Sequence, residues 1–274
     1  MMNDPSQSNI DRLVDDVVKR PKYQQITIDL IRYVGTQELL KRDSYKTALK
    51  VTLKKLHQIS GAYLNSKIDY TEWLKRFSNL PNSSGTELKD VCLQMMLLHA
   101  STKERIPIID SVFNDSLSQI GPIHSILDLA CGLNPLAIPW MPLASDCVYY
   151  ACDIFTDMMD FLNGFFKQCS LDGNAFCCNL AQGIPAQKAQ LALLLKTMPC
   201  LDQLDKHIVP QILENINADY LLVSYPLYSI GGKQKGMLST YKNHFAQIIK
   251  DSRWNAQEFL FQTELVYLLS SKDA

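Results

Sequence analysis

Two patterns of hydrophobic and polar positions divide this chain of 274 residues. Over residues 1–115, apolar positions recur at helical spacing, most clearly in Tyr45 to Leu56 and in Leu88 to His99. Beyond that region, short apolar runs alternate with longer amphipathic segments. The runs predict strands over Ser125–Ala130, Val148–Asp153, Ala175–Asn179, Gln190–Leu195, Tyr220–Tyr225 and Leu260–Ser270, the last as two strands. This alternation indicates an α/β fold with a mostly parallel, doubly wound sheet over residues 116–274, preceded by a helical N-terminal domain over residues 1–115.

The first predicted strand ends in a turn that suits a nucleoside. Asp128 lies in this strand, Gly132 lies in the turn that follows it, and the second strand ends at Asp153. Ligands of open α/β sheets bind beyond the carboxyl ends of the strands, where an acid after the second strand holds ribose hydroxyls. The turn lacks the further glycines that hold a pyrophosphate, so it favours a nucleoside without phosphates. S-adenosylmethionine is the common cofactor of that shape. Asp128 could also cap the backbone of the turn, and the two roles are compatible.

The net charge of −1 conceals a basic N-terminal part. Residues 1–120 carry 17 lysines and arginines against 14 aspartates and glutamates, whereas residues 121–274 carry 10 against 14. Arg42, Lys46, Lys50 and Lys54 are spaced four apart, so we expect them to line one face of a helix. A solvated helix face is the ordinary explanation of such a row. The scarcity of acids around it favours a surface that binds a polyanion.

The composition, 47% hydrophobic and 20% charged, is that of a globular protein. No apolar run approaches the roughly 18 residues of a membrane span, and the polar first residues do not resemble a signal peptide. The cysteines and histidines show no metal-ligand spacing. We therefore expect a cytoplasmic monomer without a membrane partner or a bound metal.

Six short motifs, in order along the chain, carry a resemblance to one family. They are Leu56 to Tyr63, His99 to Arg105, Leu127 to Pro135, Leu195 to Pro199, Val223 to Met237 and Thr263 to Tyr267. Over nearly its whole length the chain closely resembles the bacterial 16S ribosomal RNA guanine-N7 methyltransferases that confer aminoglycoside resistance. The resemblance implies a class I, Rossmann-like methyltransferase core that uses S-adenosylmethionine, and an N-terminal domain that docks on the 30S subunit. The implied reaction methylates N7 of guanine 1405 in the decoding site of 16S ribosomal RNA.

The resemblance also implies the cofactor contacts. Arg105 would pair with the methionine carboxylate, which suits its planar, permanently charged fork. Taken alone, Arg105 could instead form a surface ion pair with Glu104 or Asp110. Asp153 would hold the ribose hydroxyls. The other implied contacts are Tyr63, His99, Ala100, Ser101, Asp128, Ala130, Asn179, Leu180 and Leu195.

Three further lysines are candidates for contacts with RNA phosphates. Lys196 ends a predicted core strand beside the expected methyl group, although it could be an ordinary exposed residue. Lys233 and Lys235 lie among the glycines of residues 231–236, a loop that could grip RNA or could be only a hairpin tip.

The expected chemistry needs no catalytic side chain. Guanine N7 carries a lone pair and no proton, so its attack on a methyl group requires alignment and no general base. Alignment alone can contribute roughly 7–11 kcal/mol in favourable cases. We therefore assign no catalytic role to any histidine or cysteine.

Two other functions stay open. The first is methylation of another RNA position or of a small molecule, although a small substrate would not require the basic helical extension. The second is an inactive RNA-binding relative. Arg105 and Asp153 argue against that possibility, whereas Asn179 and Leu238 keep it open because many relatives carry an acid at these positions.

Overall fold

The N-terminal region is built from helices, and side chains cap the first and the fourth of them. The structure, a computed structural model, describes residues 6–61, 68–80, 85–228 and 237–272. Ser6 caps the first helix and Asp69 caps the fourth, each accepting a bond from a backbone N–H three residues on. The helices are α1 (Gln7–Val18), α2 (Ile28–Leu40), α3 (Tyr45–Leu56), α4 (Tyr70–Ser78), α5 (Thr86–Met96), α6 (Ala100–Arg105) and α7 (Ile109–Leu117). A π-helical segment, His57–Gly61, continues α3.

A seven-stranded sheet forms the rest of the chain, with the order β3-β2-β1-β4-β5-β7-β6. Its strands are β1 (Ile123–Leu129), β2 (Leu143–Asp153), β3 (Asp172–Cys177), β4 (Ala189–Leu195), β5 (Ala218–Pro226), β6 (Trp254–Leu260) and β7 (Glu264–Ser271). Strands β1 to β5 pair in parallel, and β7 is antiparallel to both β5 and β6. The helices between and after them are α8 (Thr156–Gln168), α9 (Met198–Leu204), α10 (Ile208–Asn215) and α11 (Met237–Ile249). The predicted α/β class and mostly parallel sheet are confirmed.

The sheet is covered by apolar side chains on both faces. Because successive strand residues point to opposite faces, Ile126 joins one hydrophobic cluster whereas Leu127 and Leu129 join the other. The first cluster includes Phe161 and Phe165 of α8 together with side chains of the N-terminal helices. Burying each such side chain contributes roughly 1.5–3 kcal/mol. The N-terminal helices and the sheet therefore share one core.

The prediction differs from the structure at the C-terminal strands. It placed two strands within 260–270, whereas β6 begins at Trp254 and only β7 lies in that range. Strand β6 lies at the edge of the sheet and its residues 255–258 are exposed, so it has no apolar run to reveal it. The expected domain boundary at residue 115 falls inside α7, and that division stays a prediction. Among the described residues, no helix is both long and apolar enough to span a bilayer.

Candidate functional site

A cleft opens at the carboxyl ends of β1, β2 and β4, the edge of the sheet where the sequence predicts a ligand. It encloses about 910 Å³ of empty space, including the solvent at its open mouth. The predicted residues that line it are His99, Ser101, Arg105, Asp128, Ala130, Asp153, Asn179, Leu180 and Leu195. The fold therefore assembles residues from both halves of the chain in one place.

The turn after β1 and the acid after β2 form a single hydrogen-bonded unit. Gly132 N donates to Asp153 Oδ2 at 2.8 Å, and Ile154 N donates to Oδ1 at 2.6 Å. Ala130 and Gly132 both adopt left-handed backbone conformations, with φ of 49° and 52°. Burial raises the pKa of Asp153, although these two backbone bonds oppose the rise. Each carboxylate oxygen keeps a second lone pair, so Asp153 can accept ribose hydroxyls from the cleft.

Asp128 lies behind that turn with one oxygen satisfied and the other not. Its Oδ2 accepts bonds of 2.8 Å from Asn134 Nδ2 and from the Tyr149 hydroxyl. Its Oδ1 is buried and has no hydrogen-bond partner among the residues that the structure describes. Burial raises the pKa of Asp128 to about 7, against the effect of those two bonds. The expected cap on the backbone of the turn is not seen, because the donors to Asp128 are the side chains of Asn134 and Tyr149. The expected contact with a ligand stays a prediction, and Oδ1 is the oxygen left for it.

Arg105 is fully buried beside the cleft and is held by a partner that the sequence analysis did not identify. Its Nη2 donates to Glu264 Oε1 at 2.6 Å, and its Nε donates to Glu264 Oε2 at 3.0 Å. Its Nη1 donates to Asn134 Oδ1 at 2.8 Å. The alternative of a surface ion pair is wrong, because Arg105 is only 1% exposed. Glu264 lies in one of the six motifs, but nothing in that motif indicated its partner.

Lys196 also lies inside the cleft, and its environment differs from the one expected. Its side chain is 3% exposed, and Nζ lies 3.0 Å from Glu104 Oε2 and 3.1 Å from the Ser101 carbonyl oxygen. Its backbone is left-handed, with φ of 59°. The expected contact with an RNA phosphate is not supported, because the ammonium is buried and already paired with a carboxylate.

His99 borders both cations and stays neutral there. Burial, together with the charges of Lys196 and Arg105, lowers the pKa of His99 to about 4. Its neighbour Ala100 does not line the cleft. His99 precedes α6 with an extended backbone, whereas Ala100 and Ser101 are the first two residues of the helix.

The remaining predicted residues form the far end of the cleft. Leu180 and Leu195 are buried apolar walls. The Asn179 side chain bonds within its own turn, since Oδ1 accepts from Ala181 N at 3.1 Å and Nδ2 donates to Gln182 Oε1 at 2.8 Å. The Asn179 amide therefore shapes the loop through bonds that an acid could make only in part, because a carboxylate cannot donate.

The N-terminal helices contribute a wall that the sequence analysis did not predict. Leu30 of α2 and Ile59 of the π-helical segment line the cleft. An antiparallel bridge joins Ile26 to Phe155, with Thr27 N donating to Ile154 O at 2.9 Å. The segment directly after Asp153 is therefore hydrogen-bonded to the N-terminal region.

The basic row is only partly as expected. Lys46, Lys50 and Lys54 lie exposed on α3, and no ion pair joins them to the described residues within 4 Å. Arg42 precedes α3 and pairs with Glu38, which also accepts from Lys55 at 2.8 Å. Glu38, the acid that pairs with Arg42, belongs to α2 and lies before the four basic residues in the sequence. The prediction from those four residues did not include it.

Three predicted residues cannot be placed. Tyr63, Lys233 and Lys235 lie outside the described residues. Leu238 is part of the second hydrophobic cluster, and Tyr241 stacks on Tyr225 with ring centroids 4.7 Å apart. Within the described ranges, no group of three or more histidine, cysteine, aspartate or glutamate side chains is placed to hold a metal ion.

Comparisons with known proteins agree on one family. A model of the family described as ribosomal RNA methyltransferase (FmrO) matches residues 19–268. The 16S rRNA (guanine(1405)-N(7))-methyltransferase of Micromonospora rosea is 29% identical over 98% of this chain and 99% of its own length. The enzyme of the same name from Serratia marcescens is 28% identical over 95% of this chain and 98% of its own length.

A solved structure extends the agreement to three dimensions. The crystal structure of 16S rRNA methyltransferase RmtF in complex with S-adenosyl-L-homocysteine has a TM-score of 0.82 and 25% identity. The match covers 98% of this chain and 100% of that one. The resemblance seen in the sequence motifs is confirmed, and the chain belongs to the ribosomal RNA methyltransferase (FmrO) family.

Proposed function

We propose that this protein transfers the methyl group of S-adenosylmethionine to N7 of guanine 1405 in 16S ribosomal RNA. The product would confer resistance to aminoglycosides that bind the decoding site. One observation carries the proposal: a single cleft holds Asp153 at one position and the buried Arg105 at another. A nucleoside with an amino-acid tail needs an acceptor for its ribose hydroxyls and a cation for its carboxylate. Family membership and the names of the full-length relatives support the same reaction.

The cleft residues fit the cofactor by their chemistry. Asp153 accepts the ribose hydroxyls, and Leu180 and Leu195 enclose the adenine between apolar walls. Arg105 binds the carboxylate, and the unpaired Oδ1 of Asp128 accepts from the α-ammonium group. When bound, S-adenosylmethionine supplies an electrophilic methyl group.

The protein contributes alignment and exclusion of water, and it moves no proton. Guanine N7 attacks with its lone pair, so no base is required at the reacting atom. The neutral His99 is consistent with that role, since a buried imidazole beside two cations is a poor proton acceptor at pH 7. A guanine that must present N7 to the cleft also has to leave its stack.

The assembled 30S subunit is the proposed partner, and the exposed lysines of α3 are the proposed docking surface. Lys46, Lys50 and Lys54 present three uncompensated charges on one helix face, which suits a phosphate backbone. A cytoplasmic location is part of the proposal, because that is where a ribosomal substrate would be met. The expectation of a monomer stays a prediction.

Methyl transfer to ribosomal substrates tests this function directly. Purified protein with radiolabelled S-adenosylmethionine should label 30S subunits, and strand scission at N7-methylguanine should map the label to guanine 1405. Naked 16S RNA should be labelled less. Subunits already methylated at that nitrogen are the matched control and should take up no label. Label at another base or in a small molecule would contradict the proposal, and S-adenosylhomocysteine binding without transfer would indicate an inactive relative.

A further inference from the structure

We propose that Lys196 is a second cation for the carboxylate of the cofactor, and that Glu264 is a positioning residue that holds Arg105 and Lys196 beside it. This inference rests on the proposed function, because it assigns residues to the amino-acid end of S-adenosylmethionine. It changes the role of Lys196 from an RNA contact to a cofactor contact, and it gives Glu264 a role that its motif did not indicate.

Glu264 is the centre of the buried charges. It is completely buried at the start of β7, and its Oε1 accepts from Arg105 Nη2 at 2.6 Å and from the Ser224 hydroxyl at 2.5 Å. Its Oε2 accepts from Arg105 Nε at 3.0 Å. Burial raises the pKa of Glu264, but the charges of Arg105 and Lys196 outweigh burial and lower it below its ordinary value. Glu264 is therefore an anion that fixes the plane of the Arg105 guanidinium.

Arg105 keeps donors for a ligand after these bonds are made. Arginine has five N–H donors, and two sit on each terminal nitrogen. Nη1 uses one donor for Asn134, and Nη2 uses one for Glu264. One donor on each terminal nitrogen has no acceptor among the described residues. Since Arg105 lines the cleft, these donors are available to a carboxylate there.

Lys196 also lies near Glu264, but its hydrogen bonds are made to other residues. Two of its three donors bond to Glu104 and to the Ser101 carbonyl, and Nζ lies 3.6 Å from Glu264 Oε2, beyond hydrogen-bond distance. Its left-handed backbone is fixed by Lys196 N, which donates to Ser224 O at 3.0 Å. Non-glycine residues hold such conformations where surrounding contacts over-determine them, and they cluster at functional sites.

The remaining donors of Arg105 and Lys196 favour a carboxylate beside the two cations. Glu264 and Asp128 are buried carboxylates near Arg105, and neither accepts from those remaining donors. A buried N–H donor without an acceptor is costly unless a ligand pairs with it. Asp128 also lines the cleft and has an oxygen without a hydrogen-bond partner among the described residues, so the site offers an acceptor to an ammonium group. Two cations and an acceptor in one cleft complement a zwitterion.

Two ligands that differ only at the amino-acid end test this inference. Calorimetry would measure the affinity of S-adenosylhomocysteine and of 5′-methylthioadenosine, which has the same nucleoside without the amino acid. Lys196→Met should weaken S-adenosylhomocysteine by about tenfold or more, as expected when one member of a buried charge pair is removed. It should leave methylthioadenosine unchanged. Glu264→Gln should give the same selective loss, because Arg105 is no longer held in one orientation.

A conservative variant and a double variant separate positioning from general stability. Glu264→Asp keeps the charge and should restore part of the lost S-adenosylhomocysteine affinity. If Glu264→Gln does not fold, Glu264→Asp decides the role of Glu264: a positioning role predicts weaker S-adenosylhomocysteine with methylthioadenosine unchanged. The effects of Lys196→Met and Glu264→Gln should be less than additive, since both act on one ligand group. Thermal melting checks that each variant is folded.

Three outcomes would overturn the inference. The first is an equal loss of both ligands in the variants, which indicates a general structural role. The second is unchanged S-adenosylhomocysteine affinity in Lys196→Met together with weaker binding of 30S subunits, which returns Lys196 to an RNA contact. The third is a wild-type protein that binds neither ligand; that result contradicts the proposed function itself, and it is distinguished from the other two because it needs no variant.

Discussion

The backbone N–H of Gly132 donates to Asp153 Oδ2 at 2.8 Å, so the turn after β1 and the acid after β2 hold each other in place. Gly132 has φ of 52°, and a Cβ at this position would lie 2.9 Å from His99 Cε1. The backbone of Gly132, the carboxylate of Asp153 and the imidazole of His99 therefore constrain one another. A change in any one of them affects the geometry of the cleft.

Gly132→Ala should destabilise the protein by about 1–3 kcal/mol and weaken S-adenosylhomocysteine, because a side chain adds backbone strain and displaces His99. Urea unfolding and calorimetry measure the two effects. Gly121→Ala is the matched control: Gly121 has φ of 67°, but its Cβ would have no neighbour within 4 Å. Equal losses of stability and of S-adenosylhomocysteine affinity in the two variants would show that the contact with His99 adds no cost.

Asp153→Ala should weaken S-adenosylhomocysteine by about tenfold or more, since each hydrogen bond to a charged group contributes roughly 1.5–3 kcal/mol. An analogue of S-adenosylhomocysteine without the ribose 2′ and 3′ hydroxyls should bind the wild-type protein weakly. Its affinity should fall little further in Asp153→Ala. Calorimetry on the four combinations measures this coupling. If the loss of affinity from Asp153→Ala and the loss from removing the hydroxyls simply add, Asp153 makes no bond to the ribose.

Asp128 should make stability depend on pH in a direction opposite to that of most carboxylates. Its pKa is about 7 in the folded protein and about 3.9 when unfolded, so the folded state binds the proton more tightly. Its contribution to stability therefore falls as pH rises from about 4 through about 7. Asp128→Asn cannot ionise, so its melting temperature relative to wild type should rise between pH 5 and pH 8.

The control for that measurement is Asp219→Asn, which removes an exposed carboxylate. Its melting temperature relative to wild type should change less over the same pH range. A difference between wild type and Asp128→Asn that does not vary with pH would contradict a raised pKa for Asp128.

Reversing Lys46 and Lys50 to glutamate should weaken 30S binding and reduce the slope of log affinity against log salt by about 2, one unit for each lost phosphate contact. S-adenosylhomocysteine affinity should be unchanged. Lys167 in the last turn of α8 and Lys188 directly before β4 are both exposed, so their reversal is a control of equal charge. If both pairs of changes have the same effect, the α3 lysines are only a solvated face.

The strand ends of the site could be predicted from sequence because they depend on local pattern. An apolar run followed by an acid places Asp128 and Asp153 at the carboxyl edge of a parallel sheet, and the structure has them there. Ala130 and Leu195 end two of the predicted strands, and the family resemblance implied their contact with the cofactor. Each of these positions is determined by its own strand and the turn that follows.

Long-range partners could not be predicted in this way. Glu264 and Arg105 are 159 positions apart, and they meet because β7 pairs antiparallel with β5. Lys196 follows an apolar strand, where a lysine is usually exposed, but it is buried here against Glu104 of α6 and Glu264 of β7. The edge strand β6 was misplaced because exposed residues leave no hydrophobic pattern.

The bridge between Ile26 and Phe155 has a consequence for how this protein can be divided. A fragment beginning at residue 116 would keep every parallel strand, yet it would lose Leu30, Ile59 and Arg105 from the cleft. The N-terminal helices therefore supply part of the cleft in addition to the proposed docking surface. Fusing the sheet to another RNA-binding protein would yield half a cofactor site, so any redirection of this methyltransferase to a new target has to keep α2 and α6 and alter only their outer surfaces.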